Sequence, residues 1–117
     1  MPDATVTTTT VRSASIGHPG RALSSARTHH FVLDSSTKPE ALSNTESFLA
    51  GISSCGVTLI ENYAAANHVP LAGLSATITG IQDRADTTKF RQLEVHFELR
   101  GVGRADADRL VEVWRAR

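Results

Sequence analysis

The sequence contains one cysteine, Cys55, which lies in a run of small and apolar residues between Glu46 and Ala66. A single cysteine cannot form an internal disulfide, and it cannot supply a metal site with several thiolate ligands. It could form a disulfide only between chains. Two roles therefore remain open for this thiol, that of a small apolar side chain in the core and that of a nucleophile.

A nucleophilic role for Cys55 requires a nearby cation. A free thiol has a pKa of about 8.5, and burial among apolar groups raises that value further. The helix dipole acts only over the first turn, whereas Cys55 lies twelve residues beyond Ser43, where we expect its helix to begin. One arginine within ~4 Å supplies about the 3 kcal/mol that lowers a thiol pKa by about two units. Arg21 and Arg27 are the candidates, because both lie in the strand region expected to pack on this helix.

Glu46 is the acidic candidate for the same site. Ser43 and Glu46 are three residues apart and predict a capping box, in which the hydroxyl and the carboxylate bind the first free backbone amides of a helix. Glu46 and Cys55 are nine residues apart, which places them on opposite sides of one helix and about 13 Å apart along its axis. Either Glu46 only caps the helix, or it acts across a dimer interface on Cys55 of the partner subunit.

The distribution of charge predicts that the helix around Cys55 is buried. Residues 47–82 carry one formally charged side chain, Glu61, whereas residues 83–117 carry eight basic and seven acidic ones. The uncharged stretch of fourteen residues before Glu61 is shorter than the ~20 residues that span a membrane as a helix. We therefore expect this segment to form a helix in the core of a soluble protein.

This helix is expected to run from Ser43 to about residue 66, where Asn67 and Pro70 end it. Small side chains follow one side of it at three- and four-residue spacing, so a second backbone can approach closely there, and a symmetry-related subunit is one candidate for that neighbour. These small residues are Gly51, Ser54, Cys55 and Thr58.

The remaining segments predict strands and a second helix. β-Branched residues and alternating apolar positions indicate a strand at 5–14, a turn at 17–20, one or two strands in 21–34 with the clearest at 27–33, and a hairpin of 74–82 and 90–100. Asp106 is expected to cap a final amphipathic helix that packs through Trp114. The order predicts a single α+β domain over residues 1–117, in which helices cover one face of a largely antiparallel sheet.

Composition argues against several partners and cofactors. Twelve basic residues balance twelve acidic ones, so we expect neither nucleic acid nor a membrane surface as a partner. The opening residues lack the basic flank and apolar region of a secretory signal, and we expect a cytoplasmic protein. The five histidines show no H-x-x-x-H spacing, so neither a metal nor another cofactor is expected.

Two sequence stretches resemble one known family. "ARTHHFVLD", followed after a loop by "NTESFLAGISSCGVTLIENYAAANHVPLAGLSATITG", is similar to the OsmC/Ohr family of osmotically inducible and organic hydroperoxide resistance proteins. In that family a stretch like P-x-E-L-L-L-A-A-L-x-x-C begins the central helix, and Glu46 and Cys55 match its spacing. The resemblance extends from about Ala26 to the end of the chain.

The resemblance implies an intertwined homodimer with active sites at the interface. It implies a thiol-dependent peroxidase of oxidative stress defence, in which Cys55 attacks an organic hydroperoxide and becomes a sulfenic acid. Family members activate this thiol with an arginine and a glutamate, which here would be Arg21 or Arg27 and Glu46. The apolar walls for the substrate would be Phe31, Phe48 and Ile52.

Three features depart from the family pattern. Asn44 stands where a proline is usual, the activating arginine varies among branches, and the second cysteine that resolves the sulfenic acid is missing up to Arg117. An external thiol would then have to act as reductant. The sequence is consistent with a piece of a two-cysteine enzyme, with a one-cysteine variant, or with a non-catalytic dimeric scaffold or apolar-ligand-binding protein of the same fold.

Overall fold

The computed structural model describes residues 5–116. Over this range the chain forms five strands and two helices in an α+β arrangement, which confirms the predicted fold class. The elements are β1 (Arg12–Ser15), β2 (Arg21–Ala26), β3 (His29–Asp34), α1 (Asn44–Ala66), β4 (Gly73–Ile81), β5 (Gln92–Arg100) and α2 (Arg104–Arg115). Residues 1–4 and Arg117, which the predictions for the N-terminus and for the domain include, lie outside the described residues.

The chain divides into two compact units between Ser47 and Phe48. In the first unit, β1, β2 and β3 form an antiparallel sheet in that order, and in the second unit β4 and β5 form an antiparallel pair. The single domain inferred from the sequence stays a prediction.

The first strand is shorter than its composition predicts. The sequence predicts strand over residues 5–14, whereas β1 covers only Arg12–Ser15. Its pairing with β2 begins at Arg12, which lies opposite Ser25, and β2 ends one residue later. Residues before Arg12 therefore have almost no β2 residue to pair with. Their β-branched side chains favour a strand but cannot replace the missing backbone hydrogen bonds to a neighbouring strand.

The second and third strands meet in a two-residue turn. Ala26 pairs with His29, and the turn consists of Arg27 and Thr28. The strand predicted for 27–33 thus begins two residues later, and Arg27 adopts the left-handed conformation with φ +56°. The turn predicted for residues 17–20 is present, and glycines with φ +86° and +91° stand at its two ends.

The capping box at the start of α1 is confirmed. The amide of Ser43 donates to Oε1 of Glu46 at 2.9 Å, and the amide of Glu46 donates to Oγ of Ser43 at 3.0 Å. The helix ends at Ala66, where the Asn67 side chain donates to the Tyr63 carbonyl at 2.9 Å. The hydrogen-bonding side chains at its two ends therefore fix the bounds that the sequence predicts.

The hairpin is also confirmed, with Gly73 opposite Arg100 and Ile81 opposite Gln92. Three of its apolar side chains, those of Leu74, Phe97 and Leu99, pack on buried residues of α1 and α2. The fully buried apolar residues of the second unit are Ile60, Ala64 and Leu110, and the partly buried residues packed on them include Tyr63, Leu74, Phe97, Leu99 and Trp114.

The start of α2 differs from the prediction. The helix begins at Arg104 after Gly103, which makes no side-chain capping bond, so the prediction that Asp106 is the cap is wrong. Asp106 lies inside the first turn and accepts a hydrogen bond from Arg109 at 2.9 Å. Its carboxylate still lies in the first turn, where a negative charge interacts favourably with the helix dipole, although it does not bind a free backbone amide as a cap would.

The uncharged stretch of α1 is less buried in this chain than predicted. One side of the helix is buried, at Gly56, Ile60 and Ala64, whereas Cys55 is exposed. Within residues 5–116, neither helix combines the length and the apolarity that crossing a membrane requires.

Candidate functional site

Cys55 opens into an apolar groove of about 740 Å³ on the second unit. The lining residues are Phe48, Gly51, Ile52, Cys55 and Leu59 of α1, with Trp114 and Arg115 of α2. Phe48, Gly51, Cys55 and Leu59 are spaced by three or four residues, and Ile52 is adjacent to Gly51, so the five α1 residues share one side of the helix. The volume lies within the ~300–1,000 Å³ typical of small-molecule sites. Because its side chain is exposed, Cys55 does not fill the core of this chain.

Gly56 brings α2 against α1 beside the cysteine. A Cβ on Gly56 would lie 3.0 Å from Cζ of Phe97 and 3.2 Å from Nε1 of Trp114. The two aromatic rings contact each other edge to face, with centroids 5.2 Å apart and planes at 68°. The small residue thus admits an aromatic pair, and this pair holds the end of α2 next to Cys55.

Gly51, by contrast, has open space where a side chain would stand. No described atom outside its own helix surroundings lies within 4 Å of a Cβ placed there. The two glycines of α1 therefore differ: Gly56 is required for packing within the chain, and Gly51 leaves room in the groove.

Another lining residue is Phe48, whose ring stacks on Phe90 with centroids 5.8 Å apart and planes at 10°. Phe48 remains 56% exposed, so its other face is available to a molecule in the groove. The groove is thus lined by two aromatic side chains, Phe48 of α1 and Trp114 of α2.

The charged residue in the lining is Arg115, which the sequence pattern of the last helix does not single out. Nη1 of Arg115 lies 3.5 Å from Oε2 of Glu112, and both side chains are about two-thirds exposed (68% and 66%). Its position directly after the anchored Trp114 is the signal that could have identified it, but only once the contact between Trp114 and Gly56 is known.

Arg21, the first arginine predicted for the site, is bound within the first unit. Its Nε lies 2.7 Å from Oδ1 of Asp34 and its Nη2 lies 3.0 Å from Oδ2, with Glu40 a further partner at 3.3 Å. Asp34 has no exposed surface and also accepts the amides of Glu40 and Ala41 at 3.2 and 2.7 Å. The hydrogen bonds from Arg21 hold the pKa of Asp34 well below its usual range, and Asp34 in turn raises the pKa of Arg21.

Arg27, the second predicted arginine, is exposed in the turn between β2 and β3. Phe31, predicted as an apolar wall, lies on β3 opposite Ser24 and is 40% exposed. Both belong to the first unit, and their roles beside Cys55 stay predictions.

Glu46 caps α1 through its carboxylate, as described above, and the helix continues without interruption to Cys55. The capping interpretation of Glu46 is therefore confirmed, and its action on Cys55 of the partner subunit stays a prediction. Among residues 5–116, no group of three or more His, Cys, Asp or Glu side chains is arranged to hold a metal ion.

Comparison with solved structures shows the same fold in several proteins of low sequence identity. An OsmC-like protein from Mycoplasma pneumoniae superposes with a TM-score of 0.83 at 13% identity, over 95% of this chain and 82% of that one. An organic hydroperoxide resistance protein OsmC from Legionella pneumophila gives a TM-score of 0.71 at 18% identity, covering 95% and 84% of the two chains. The organic hydroperoxide resistance protein OhrB of Bacillus subtilis gives 0.63 at 15% identity, covering 94% and 84%.

A search of curated proteins by sequence finds no match. The sequence model of the OsmC-like protein family matches residues 36–117, which include the whole of α1, the hairpin and α2. This match covers well over half of the chain, and it agrees with the fold of the three solved structures. The chain therefore belongs to the OsmC-like protein family.

Proposed function

We propose that this protein is a thiol-dependent peroxidase that reduces organic hydroperoxides through Cys55. The observation that carries the proposal is an exposed thiol in an apolar groove of about 740 Å³. Membership of the OsmC-like family supports it, since two of the similar structures are named organic hydroperoxide resistance proteins. Apolar walls favour a substrate whose organic part is hydrocarbon.

The reaction proceeds in balanced steps. The Cys55 thiolate attacks the terminal oxygen of the hydroperoxide, an S–O bond forms, and the O–O bond breaks. The transferred oxygen keeps its proton, so the sulfur is oxidised by two electrons to a sulfenic acid, and the leaving alkoxide takes one proton from the solvent and departs as an alcohol. An external thiol condenses with the sulfenic acid to a mixed disulfide and water, and a second external thiol releases the Cys55 thiolate as the external disulfide forms.

An arginine is proposed to stabilise the thiolate, and Glu46 to hold that arginine in place. Arg21 and Arg27 are the predicted candidates. Arg27 is the more available of the two, because Arg21 is bound to the buried Asp34 by two hydrogen bonds. An arginine within ~4 Å of the sulfur would favour the thiolate by several kcal/mol at an effective dielectric near 20.

A homodimer is part of the proposal. The small residues of α1 leave open space at Gly51, and the large apolar side chain of Phe48 on the same helix is 56% exposed in the single chain. A second copy that covers this face would shield the groove from water and would allow Glu46 to act on Cys55 of the partner subunit. Light scattering coupled to size exclusion should give twice the chain mass of 12.5 kDa.

The decisive test is reduction of cumene hydroperoxide with dithiothreitol as the reductant. The wild-type protein should consume the hydroperoxide, form a dimedone adduct at Cys55 when the reductant is withheld, and lose turnover in Cys55→Ser. Ser54→Ala on the same helix is the matched control and should keep turnover. Retained activity in Cys55→Ser would reject the assignment.

The second candidate function is binding of an apolar ligand without chemistry. The same groove favours it, as does the single cysteine, which leaves a sulfenic acid without a resolving partner in this sequence. This function would be indicated if the wild-type protein binds an apolar fluorescent probe in a saturable manner while excess cumene hydroperoxide leaves Cys55 unmodified.

A further inference from the structure

The groove beside Cys55 is lined mainly by apolar side chains and has one cationic side chain in its lining. Of its seven lining residues, Arg115 is the one with a formal charge, and it follows Trp114 on the last turn of α2. We propose that Arg115 is a specificity-determining residue, which makes the groove prefer ligands with a carboxylate on an apolar chain over neutral ones. The inference extends the proposed function and rests on it for the peroxidase chemistry, but not for ligand binding.

The position of Arg115 is fixed by its neighbour. Trp114 contacts Phe97 edge to face at 5.2 Å, and its Nε1 lies against Gly56 of α1. The backbone at Arg115 is therefore held at the edge of the groove, while its long side chain remains 68% exposed and able to turn toward a ligand. A guanidinium offers paired N–H donors that match the two oxygens of a carboxylate.

The present partner of Arg115 does not prevent this role. Glu112 lies 3.5 Å away, at the long end of the range for an ion pair, and is itself 66% exposed. Exposed pairs of this kind contribute little to stability, so a ligand carboxylate can replace Glu112 as the partner of Arg115. Glu112 is thus a competitor, and removing its charge should strengthen binding of an acidic ligand.

Arg115 should distinguish acidic ligands from neutral ones, because it is the charged residue of the lining and a carboxylate can form charge-assisted hydrogen bonds with its guanidinium. Without its charge the groove should keep its affinity for neutral chains and lose affinity for acids. The apolar tail would lie along Phe48, Ile52 and Leu59.

Ligand binding can be measured directly through the fluorescence of Trp114, because it is the single tryptophan of the chain and lines the groove. Dodecanoate and its methyl ester would be titrated into the wild-type protein and into Arg115→Gln, with intrinsic fluorescence as the readout. We expect Arg115→Gln to weaken dodecanoate binding about tenfold, the loss of one charge-assisted contact, and to leave ester binding within about twofold. If Arg115→Gln changes the affinities for the acid and the ester equally, or changes neither, the inference is overturned.

Three further variants make the test specific. Glu112→Gln should tighten dodecanoate binding severalfold, and Arg115→Lys should retain part of the preference for the acid. Arg109→Gln is the control, because Arg109 is an exposed arginine of the same helix that pairs with Asp106 and does not line the groove. It should change the affinity for neither ligand. An unchanged or weaker affinity for dodecanoate in Glu112→Gln would also contradict the inference.

The failure of the proposed function can be recognised separately. Linoleic acid hydroperoxide and its methyl ester would be compared as substrates of the wild-type protein and of Arg115→Gln. If neither hydroperoxide is reduced but Arg115→Gln still weakens dodecanoate binding, the peroxidase proposal fails and the role of Arg115 stands. If both are reduced and Arg115→Gln lowers kcat/KM equally for acid and ester, the peroxidase proposal stands and the role of Arg115 is refuted.

Discussion

Nε1 of Trp114 lies 3.2 Å from the point where a Cβ on Gly56 would stand. The end of α2 therefore packs on α1 at a position where the Trp114 ring requires a small residue. The contact joins residues that are 58 positions apart in the sequence. It places Arg115 and Cys55 in the lining of one groove. The candidate site of the second unit depends on this approach of two helices.

Gly56→Ala should destabilise the protein by about 1–2 kcal/mol, although alanine favours a helix over glycine by about 1 kcal/mol. The added methyl would press on Phe97 and Trp114 at 3.0 and 3.2 Å, and these rings are held against each other and cannot both move away. Denaturant unfolding measures the change. A variant as stable as the wild type would show that the aromatic pair shifts freely.

Gly51→Ala should behave differently from Gly56→Ala. Within the described chain a Cβ at Gly51 meets no neighbour within 4 Å, so the isolated chain should gain up to about 1 kcal/mol from the higher helix propensity of alanine. If a second copy packs on the small residues of α1, as proposed, the same change should weaken the dimer. Sedimentation across a range of protein concentrations separates the two effects, and a dimer of unchanged affinity would place its interface elsewhere.

Glu46→Gln should separate capping from catalysis. Glutamine can accept the Ser43 amide as glutamate does, so the free energy of unfolding should stay within about 0.5 kcal/mol of the wild type. Peroxidase turnover should fall about tenfold if the charge of Glu46 holds an arginine against the thiol, as proposed. Ser43→Ala is the matched control, since it should cost about 1 kcal/mol of stability through the lost cap and leave turnover unchanged. Full turnover in Glu46→Gln would restrict Glu46 to capping.

The ion pair of Arg21 and Asp34 should make stability depend on acid pH. Because Arg21 lowers the pKa of Asp34 in the folded chain, the pair stabilises the protein fully above the ordinary aspartate pKa of about 3.9 and loses its effect as the pH falls toward the lower folded value. Thermal unfolding at several pH values below about 5 should therefore show a steeper loss of stability in the wild type than in Asp34→Asn.

Asp108→Asn serves as the control for this pH dependence, because Asp108 pairs with Arg104 on the surface and both side chains are mostly exposed. Its acid profile should follow that of the wild type, and it should unfold at nearly the same temperature. Asp34→Asn should unfold at a clearly lower temperature at neutral pH, because it leaves the half-buried Arg21 without its anionic partner. Parallel acid profiles for wild type and Asp34→Asn would contradict the assignment.

Arg27 and Arg21 should respond differently to removal of their charges. Arg27→Gln is expected to lower the rate of Cys55 alkylation at neutral pH about tenfold with little change in unfolding temperature, if Arg27 stabilises the thiolate. Arg21→Gln should lower the unfolding temperature by releasing Asp34. Iodoacetamide kinetics and thermal unfolding of the same two samples provide the comparison. Unchanged alkylation in Arg27→Gln would remove it from the proposed site.

The sequence by itself determined those elements whose signals are local. The Ser43–Glu46 box and Asn67 set the ends of α1, and alternating side chains set the hairpin, because both depend on hydrogen bonds or periodicity within a few residues. The family resemblance likewise came from two continuous stretches, "ARTHHFVLD" and the longer one around Cys55. A cap at Asp106 and a long first strand were wrong because capping side chains and β-branched residues are common at positions that lack the partner they need.

Only the tertiary structure decided which side chains surround the thiol. It exposed Cys55, although the distribution of charge had predicted a buried helix there, and it paired Arg21 with Asp34. It also brought Arg115 to the Cys55 groove through the contact of Trp114 with Gly56. Such choices depend on how distant elements pack, and residues that meet across more than fifty positions leave no periodic signal in either segment alone.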